Sequence, residues 1–319
     1  MWTDHNAIGG YLSLELSAGG HPFHGDAIGL NSARNCFEYI LLAKGYKRVH
    51  LPIYTCEAMF EAPLKLDVDI CFYAVGPNLE PLDLPKLGPG EAFVYTNYFG
   101  LKQSCVERMY KQFGERLIVD NAQAFYAPAL PGVDTLYSPR KFFGVPDGGY
   151  LYTDKKISTR FPQSDSTNRF QHLIKRIESG PEAGYADFRE AEKTLDNGPV
   201  QTMSKLTESL LGAIDYRRAA RVRRENYRLL HEALQESNLI RPLMDSQAVP
   251  MVYPFLTDDP SLRQRLIANR VFVATYWPNV KQSATPGTTE YELADRLIPL
   301  PVDQRYGPDE MSTILKIIG

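Results

Sequence analysis

The chain has 319 residues, enough for one large domain and a smaller one, each with its own core. Its 44% hydrophobic and 23% charged residues are ordinary for a globular protein, and a net charge of −3 gives no basic field for nucleic acid or an anionic membrane. No apolar run reaches about 18 residues, and the first residues lack the basic and apolar stretches of a signal peptide, so we expect neither a membrane span nor a leader.

The cysteines and histidines show no paired spacing. The four cysteines, Cys36, Cys56, Cys71 and Cys105, form no Cys-x-x-Cys motif, so free thiols in a reducing, cytoplasmic compartment are expected. The six histidines form no zinc-binding pattern, and no metal site is predicted.

The first half of the chain alternates between strand and helix patterns. The first 30 residues show no clear period and predict an irregular arm, after which Ser32 is a plausible cap for a helix that Gly45 closes. Further patterns predict strands at 49–53, 69–73 and 92–95 and a strand ending at Asp120, with helices at 56–65 and 105–113 between them. This alternation predicts an α/β fold with a mostly parallel central sheet and helices on both faces.

The second half predicts a different organisation. Residues from about 155 to 200 are polar and favour short helices and loops, whereas 203–235 predicts one long helix. The basic middle of that helix should face solvent or another subunit; it comprises Arg217, Arg218, Arg221, Arg223 and Arg224. The tail predicts a small α+β unit with strands at 251–256 and 271–275 and helices at 261–269, 290–296 and 308–318. We therefore expect a large domain over 1–205 and a small C-terminal domain over 206–319 that includes the long linking helix.

Two nearby segments carry the chemistry. Residues 117–125 have the pattern of a buried strand that ends in Asp120, with Gln123 one helical turn later. Residues 137–151 contain Ser138 and Lys141 three apart, followed by two glycines that lead into another strand. These are the parts needed to hold pyridoxal phosphate (PLP): Asp120 can pair with the pyridine nitrogen, Ser138 can bind phosphate, and the amine of Lys141 can form a Schiff base.

The neighbours of these residues refine the hypothesis. Lys141 precedes Phe142 and Phe143, and this apolar company predicts a partly desolvated, nucleophilic amine. Gln123 could reach the hydroxyl of the cofactor ring.

The start of the first helix is a second candidate for phosphate binding. Free N–H groups at Ala33, Arg34 and Asn35 and the positive end of the helix dipole suit an anion. The guanidinium of Arg34 could bind the PLP phosphate or an acidic substrate group. The alternative is that Arg34 faces solvent or pairs with a local carboxylate.

In their order along the chain, these motifs resemble the DegT/StrS group of PLP-dependent sugar aminotransferases, which have the aspartate aminotransferase fold (fold type I). The resemblance runs from about Asn31 to the C-terminus through seven short matches, each weak alone. The matching segments are Ser32-Ala33-Arg34-Asn35, Leu51-Pro52-Ile53-Tyr54-Thr55, Asn97-Tyr98-Phe99-Gly100, Asp120-Asn121-Ala122-Gln123-Ala124, Pro139-Arg140-Lys141 with Gly148-Gly149, Met203-Ser204-Lys205-Leu206 and Tyr276-Trp277-Pro278.

The resemblance implies a PLP-dependent aminotransferase that passes an amino group from an amino acid, such as glutamate, to a keto-sugar in surface-polysaccharide or secondary-metabolite biosynthesis. Lys141 would bind the cofactor and move the proton, and a homodimer would build each site from both chains. Further cofactor contacts are implied at Tyr54, Cys56 and Asn197, and substrate contacts at Asn97, Tyr98, Arg140 and Tyr276.

Three departures separate this chain from the family pattern. Cys56 stands where the family has an aromatic residue against the cofactor ring, and Leu136 replaces a phosphate-binding serine, a role that could move to Ser138. Val200 stands where the family has an asparagine that reaches the partner subunit, with Asn197 nearby. A PLP-dependent sugar dehydratase or other lyase, and a PLP-fold regulatory protein without turnover, remain alternatives. The keto substrate, the amino donor and recognition of a nucleotide are left open.

Overall fold

The computed structural model describes residues 10–12, 14–16, 20–240 and 247–319. These residues form a seven-stranded sheet with helices around it and a separate two-stranded sheet near the C-terminus. The strands are β1 (Ile28–Leu30), β2 (Arg48–Pro52), β3 (Asp69–Tyr73), β4 (Glu91–Thr96), β5 (Leu117–Asn121), β6 (Asp134–Tyr137), β7 (Gly149–Tyr152), β8 (Val252–Leu256) and β9 (Leu297–Pro301). The helices are α1 (Ala33–Lys44), α2 (Ala58–Lys65), α3 (Gln103–Phe113), α4 (Gln171–Ser179), α5 (Tyr185–Lys193), α6 (Lys205–Gly212), α7 (Tyr216–Leu234), α8 (Leu262–Ala268), α9 (Val280–Ser283), α10 (Thr289–Arg296) and α11 (Pro308–Ile318).

The large sheet confirms the predicted α/β architecture. Its strand order is β1-β7-β6-β5-β4-β2-β3; the run from β3 to β6 is parallel, and β7 is antiparallel to both of its neighbours. The carboxyl ends of parallel strands meet at one edge of a sheet. The pairing of Asn121 with Tyr137 therefore brings the residues that follow β5 and β6 to the same edge.

Helix α1 begins and ends as the sequence predicts. The Ser32 hydroxyl accepts the N–H of Asn35 at 3.1 Å, which caps the first turn. Gly45 ends the helix with φ 67°, a left-handed conformation that glycine adopts without a steric cost. Phe37 and Ile40 are fully buried and hold α1 against the sheet.

Strand β5 is buried throughout, and its first three residues are apolar, because the sheet is covered on both faces. Ile118 packs in the core beneath α1, while Leu117 and Val119 pack in the core on the opposite face. That second core continues into the C-terminal unit, where it includes Tyr253 and Leu300. A strand buried on both sides loses the polar–apolar alternation of a half-exposed strand.

The predicted helix over 203–235 is wrong in one respect, because it is two helices. Helix α6 ends at Gly212, and the carboxylate of Asp215 caps α7 by accepting the N–H of Arg218 at 2.8 Å. A competing side-chain bond of this kind interrupts a helix without changing its apolar period. The predicted domain boundary falls at the start of α6 and stays a prediction.

The basic stripe of α7 is only partly at the surface. Arg217, Arg218 and Arg221 are exposed, but Arg223 is 1% exposed. Arg223 lies on the buried stripe that also carries Ala219 and Tyr227, at the three- and four-residue spacing of one helix face. The expectation that Arg223 faces solvent or another subunit is therefore wrong within this chain.

The predicted strand over 271–275 is also wrong. In the small sheet β8 pairs antiparallel with β9, a strand that the sequence did not indicate. A side-chain hydrogen bond holds the backbone after α8 in place of strand pairing: the guanidinium of Arg263 donates to the carbonyl of Ala274 at 2.6 Å. Val271 and Val273 pack against the core and Phe272 is exposed, so the segment alternates like a strand but has no strand partner among the described residues.

No helix within the described residues has the length and apolar character needed to cross a membrane. The predicted irregular arm includes the short edge strand β1, and residues 1–9, 13 and 17–19 of that arm lie outside the described part.

Candidate active site

Asp120 lies at the carboxyl end of β5 and is 5% exposed. Its Oδ1 accepts the N–H of Ala122 at 2.9 Å, and its Oδ2 accepts the hydroxyl of Thr96 at 3.4 Å. Burial raises the pKa of this carboxyl, and the charge of the Lys141 amine opposes the shift. Within the described part of the chain no cation lies within ion-pair distance of Asp120, so a cationic ligand group would find it unpaired.

Lys141 is carried by a short turn that follows β6. Ser138 is buried, Pro139–Lys141 form one 3-10 turn, and the N–H of Phe142 closes the turn on the carbonyl of Pro139 at 3.0 Å. The Lys141 side chain is exposed. The turn therefore presents the amine on the open side of the sheet edge.

The two phenylalanines after Lys141 are buried, unlike Lys141 itself. Phe142 and Phe143 are 3% and 6% exposed. Their rings contact Phe125 at 5.8 and 5.1 Å between centroids, and Phe143 also contacts Tyr216 at 5.4 Å. The two rings therefore pack in the core, whereas the Lys141 side chain is exposed, so they do not give the amine the partly desolvated setting that the sequence predicted.

Electrostatics place Cys56 beside this pair. Burial raises the pKa of the Cys56 thiol, the Lys141 amine lowers it, and the Asp120 carboxylate raises it. Cys56, Asp120 and Lys141 are therefore close enough to interact, although they come from three separate segments.

The glycine pair brings the start of α1 against the Lys141 turn. A Cβ on Gly149 would lie 2.5 Å from the backbone of Ser32 and 2.8 Å from the nitrogen of Ala33, so no side chain fits. Gly148 has φ 119°, and its N–H donates to the carbonyl of Asn31 at 2.7 Å. A Cβ on Gly148 would also meet the ring of Pro139 at 3.0 Å. These contacts fix the helix start beside the turn.

Two N–H groups at the start of α1 are left for a ligand. Ala33 and Arg34 precede the first intrahelical bond, whereas the N–H of Asn35 is bound by Ser32. The side chain of Asn35 donates to Glu38 and to the carbonyl of Gly198, each at 3.3 Å. Asn35 is therefore engaged within the protein, contrary to its predicted cofactor contact.

The guanidinium of Arg34 pairs with local carboxylates, which is one of the alternatives that the sequence analysis left open. It pairs with Glu61 at 3.1 Å and with Asp196 at 3.1 Å, and it lies 3.9 Å from Glu192. Asn197, also a predicted cofactor contact, is exposed, and its N–H donates to the other oxygen of Glu61 at 2.8 Å. Local carboxylates therefore hold the Arg34 side chain.

Arg140 is paired in the same region. Its guanidinium contacts Glu192, its Nε is buried without a partner among the described residues, and burial together with the nearby Arg34 lowers its pKa to about 10. Glu192 thus contacts one arginine within the Lys141 turn, Arg140, and lies near a second at the start of α1, Arg34.

The side-chain amide of Gln123 has one hydrogen-bonded atom and one atom without a partner among the described residues. The side chain is 1% exposed, and its Oε1 accepts the N–H of Phe99 at 2.9 Å. Its Nε2 is buried, and no acceptor for it is found among the described residues. A buried donor without a partner is costly, and this one lies close to Asp120 in sequence and space.

Asn97 and Tyr98, the predicted substrate contacts, are fully buried. The Oδ1 of Asn97 accepts the N–H of Lys102 at 2.9 Å, and its Nδ2 donates to Gln103 at 3.2 Å. The hydroxyl of Tyr98 donates to the carbonyl of Tyr54 at 2.7 Å. Both side chains therefore stabilise the turn beside Asp120 and are not available to a substrate in this arrangement.

Tyr54 connects the site edge to the C-terminal unit. It is fully buried, and its hydroxyl donates to the carbonyl of Tyr276 at 2.6 Å. The Tyr276 ring stacks on Phe99 at 6.1 Å, and burial raises the pKa of its hydroxyl to about 12. Asn279 donates to the carbonyl of Thr55 at 3.0 Å. Tyr54 thus anchors the backbone at Tyr276. The side chain of Tyr276 is half-buried and stays a candidate substrate contact.

Sequence reasoning missed two residues that organise the site. Thr96 could have been found from the parallel register, which places it opposite Asp120. Asp147 is fully buried before the glycine pair and accepts the hydroxyls of Ser204, at 2.8 Å, and Thr207. It thereby ties the start of α6 to the Lys141 loop, and no local motif signals that role.

Comparison with known proteins gives structural likeness alone. No family model matches the chain, and no curated protein matches it. Among solved structures, the aminotransferase TlmJ from Streptoalloteichus hindustanus matches with a TM-score of 0.63 and 16% identity, over 92% of this chain and 84% of that one.

Two further structures agree. The sugar aminotransferase CalS13 from Micromonospora echinospora has a TM-score of 0.61 and 16% identity, over 92% of this chain and 87% of its own. A DegT DnrJ EryC1 StrS aminotransferase from Brucella abortus has a TM-score of 0.60 and 16% identity, over 92% of this chain and 84% of its own. The chain therefore has the fold of these aminotransferases, as its motifs predicted.

Proposed function

We propose that this chain is a PLP-dependent aminotransferase that transfers an amino group from an amino acid, glutamate in the first instance, to a keto-sugar of a surface-polysaccharide or secondary-metabolite pathway. The observation that carries the proposal is the convergence of a buried, unpaired carboxylate at Asp120 with the exposed amine of Lys141. Both lie in a fold shared with a sugar aminotransferase, CalS13.

The residues present fit pyridoxal phosphate. Asp120 offers a carboxylate without a cation among the described residues, and Gln123 offers a buried Nε2 without an acceptor. When bound, the cofactor supplies an electron sink that stabilises negative charge on the substrate carbon. The Asp120 carboxylate would hold the ring nitrogen in its protonated state, and Gln123 would donate to the ring hydroxyl.

The phosphate would lie against the start of α1. The N–H groups of Ala33 and Arg34 and the positive end of the helix favour an anion there, and the Ser138 hydroxyl does not cap its own turn. Leu136, which replaces the family's serine, is fully buried in the core beneath α1 and offers no donor. This supports the shift of the phosphate contact to Ser138.

The side-chain nitrogen of Lys141 would have two roles. Its Nζ would attach the cofactor, and once released it would carry the proton between the cofactor and the substrate carbon. The hydroxyl of Thr96 and the N–H of Ala122 hold the Asp120 carboxylate in position. Cys56 would border the ring where the family has an aromatic side chain, and Arg140 and Tyr276 are the side chains that we propose for substrate contact.

We also propose that the working form is a cytoplasmic homodimer. The cysteines of the chain are free thiols, which supports a reducing compartment. Helices α4 and α5 leave Ile174, Ile177 and Tyr185 exposed, which supports a covering surface from a second copy. The exposed Asn197 would reach towards the partner's site from this segment.

An absorbance experiment tests the proposed function. Purified protein reconstituted with PLP should show a visible band that borohydride abolishes, and the Lys141→Ala variant should lack the band. Adding glutamate should convert the cofactor to its pyridoxamine form and release 2-oxoglutarate. Conversion only by a sugar, with elimination, would favour the lyase alternative, and a band that no amino acid changes would favour a protein without turnover.

A further inference from the structure

Arg223 of α7 is a buried guanidinium whose donors reach three distant segments. Its Nη1 donates to the carbonyls of Pro250 at 3.2 Å and Met251 at 3.0 Å. Its Nη2 donates to the carbonyl of Phe142 at 3.2 Å, and its Nε donates to Gln304 at 2.9 Å. The guanidinium also lies 4.5 Å from the centre of the Phe142 ring.

Placing this charge in the interior is costly. Arg223 is 1% exposed, and within the described residues no carboxylate lies within ion-pair distance of it. The negative charge of Asp303 acts on Arg223, but Asp303 is itself bound by Arg305 at 2.7 Å. Burial lowers the pKa of Arg223 to about 10. An apolar residue of similar volume would fill this space at a lower desolvation cost. The role of the arginine must therefore come from the groups that its fork, the planar set of guanidinium N–H donors, binds.

One group that the fork binds is the carbonyl of Phe142, the residue that follows Lys141. The carbonyl of Phe142 accepts from Arg223 and also from the Nε2 of Gln304 at 2.9 Å, while Arg223 donates to the oxygen of Gln304. The N–H of Phe142 closes the Lys141 turn on Pro139 at 3.0 Å. Phe142 is therefore held both through its N–H and through its carbonyl, which leaves its backbone little freedom to rotate, and Lys141 is the residue immediately before it.

We propose that Arg223, together with Gln304, is a positioning residue for Lys141. The fork fixes the turn so that the amine of Lys141 stays at the sheet edge beside Asp120, and it makes that position depend on the C-terminal unit, which supplies Pro250, Met251 and Gln304. The role in turnover rests on the proposed function, whereas the clamp on the turn does not need a cofactor.

The variants separate this role from a general effect on folding. Arg223→Met removes the fork, and Arg223→Lys keeps the charge without the planar donors. Gln304→Glu keeps an acceptor for Arg223 and removes the N–H that binds Phe142, so it tests the clamp even when Arg223→Met does not fold. Arg224→Met is the matched control, because Arg224 donates to the carbonyls of Ala248 and Gln247, each at 2.9 Å, with no bond to the Lys141 turn.

The first measurement is hydrogen exchange on the protein without cofactor. The amides of Phe142 and Phe143 both donate to Pro139 and report on the turn. We expect their exchange to become at least about tenfold faster in Arg223→Met, as for loss of a charge-assisted bond, and to become faster by a smaller factor in Gln304→Glu, which loses a bond between neutral groups. The exchange should stay at the wild-type rate in Arg224→Met. Equal exchange in wild type, Arg223→Met and Gln304→Glu would overturn the clamp.

The second measurement is steady-state kinetics of the cofactor-loaded enzyme. We expect kcat to fall at least about tenfold in Arg223→Met, with an intermediate loss in Arg223→Lys, while KM for the amino donor changes less than about threefold. Wild-type kcat in these variants would overturn the positioning role. A wild-type protein that forms no visible band with PLP would instead refute the proposed function, and the exchange result would still decide on the clamp.

Discussion

The hydroxyl of Thr96 donates to one carboxylate oxygen of Asp120 at 3.4 Å, while the other oxygen accepts the N–H of Ala122. Two adjacent parallel strands thus hold the carboxylate in place without neutralising it. An asparagine could keep both bonds, because the Thr96 hydroxyl can turn to accept from its amide. The charge and the position of this group can therefore be tested separately.

We predict that Asp120→Asn still binds PLP but loses at least nine tenths of its activity. A neutral amide cannot keep the ring nitrogen protonated, and a tenfold loss corresponds to only about 1.4 kcal/mol of transition-state stabilisation. Steady-state kinetics with a PLP titration measures both properties. Asp134→Asn is the control, because Asp134 is also a fully buried carboxyl but lies at the start of β6, the end away from the Lys141 turn. More than roughly a tenth of wild-type turnover in Asp120→Asn would contradict the proposed role.

We predict that Lys141→Ala abolishes covalent attachment of PLP and leaves the fold intact. The side chain is exposed on its turn, so its removal disturbs no core contact. Borohydride reduction followed by peptide mass spectrometry should find the pyridoxyl group of the wild-type protein on Lys141, and circular dichroism should be unchanged in the variant. A pyridoxyl group on another lysine would refute this assignment.

We predict that Arg34→Ala changes the dissociation constant of PLP by less than about threefold. The guanidinium is already paired with Glu61 and Asp196, and the N–H groups that would meet phosphate remain in the variant. A guanidinium that contacted phosphate would contribute about 1.5–3 kcal/mol, so its loss would weaken binding by one to two orders of magnitude. Fluorescence titration distinguishes the two results, and a rise in substrate KM alone would assign Arg34 to the substrate.

We predict that acid destabilises the protein through His24. Its Nε2 lies 2.8 Å from the carbonyl of Phe125, and burial lowers its pKa from 6.5 to about 4, opposed by that bond. The unfolded chain therefore binds more protons than the folded one between these values. Stability contributed by the neutral ring is full above pH 6.5 and falls by up to about 3 kcal/mol as the pH drops towards 4.

Urea unfolding of wild type and His24→Gln at pH 7 and pH 5 measures this effect. The variant should be less stable at pH 7 but should lose less stability between the two pH values. His21→Gln, at an exposed position of the same arm, is the control. The same loss on acidification in wild type and His24→Gln would show that another group is responsible.

We predict a homodimer whose contact includes helices α4 and α5. Ile177 is 83% exposed and Tyr185 59% exposed, which leaves an apolar surface without cover in one chain. Multi-angle light scattering should give the mass of two chains, and Ile177→Asp should shift that equilibrium towards the monomer. A monomeric wild type with full activity would refute the prediction.

The parts of the fold that local chemistry decides were predictable. Ser32 and Gly45 mark the ends of α1 by capping preferences, and the apolar run before Asp120 marks a strand covered on both faces. The break before Asp215 was not predicted because one side-chain hydrogen bond ends the helix while the apolar period continues. The buried Arg223 lies on the apolar face of α7, where its charge obscured the pattern.

The candidate site was predictable in its residue types more than in its contacts. Asp120, Gln123 and Lys141 could be identified because each follows a recognisable strand or turn. The carboxylates that bind Arg34 come from distant segments around Glu61 and Asp196, and no local pattern connects them. The orientation of Phe142 depends on packing against Phe125, which only the tertiary structure provides.

The antiparallel direction of β7 has a consequence for tolerance to insertions. Because β7 is antiparallel to β6, the chain that carries Lys141 turns back into the sheet without an α-helical crossover. Adding or removing a residue between Phe143 and Asp147 would shift the amine relative to the start of α1. We therefore expect this connection to keep a fixed length.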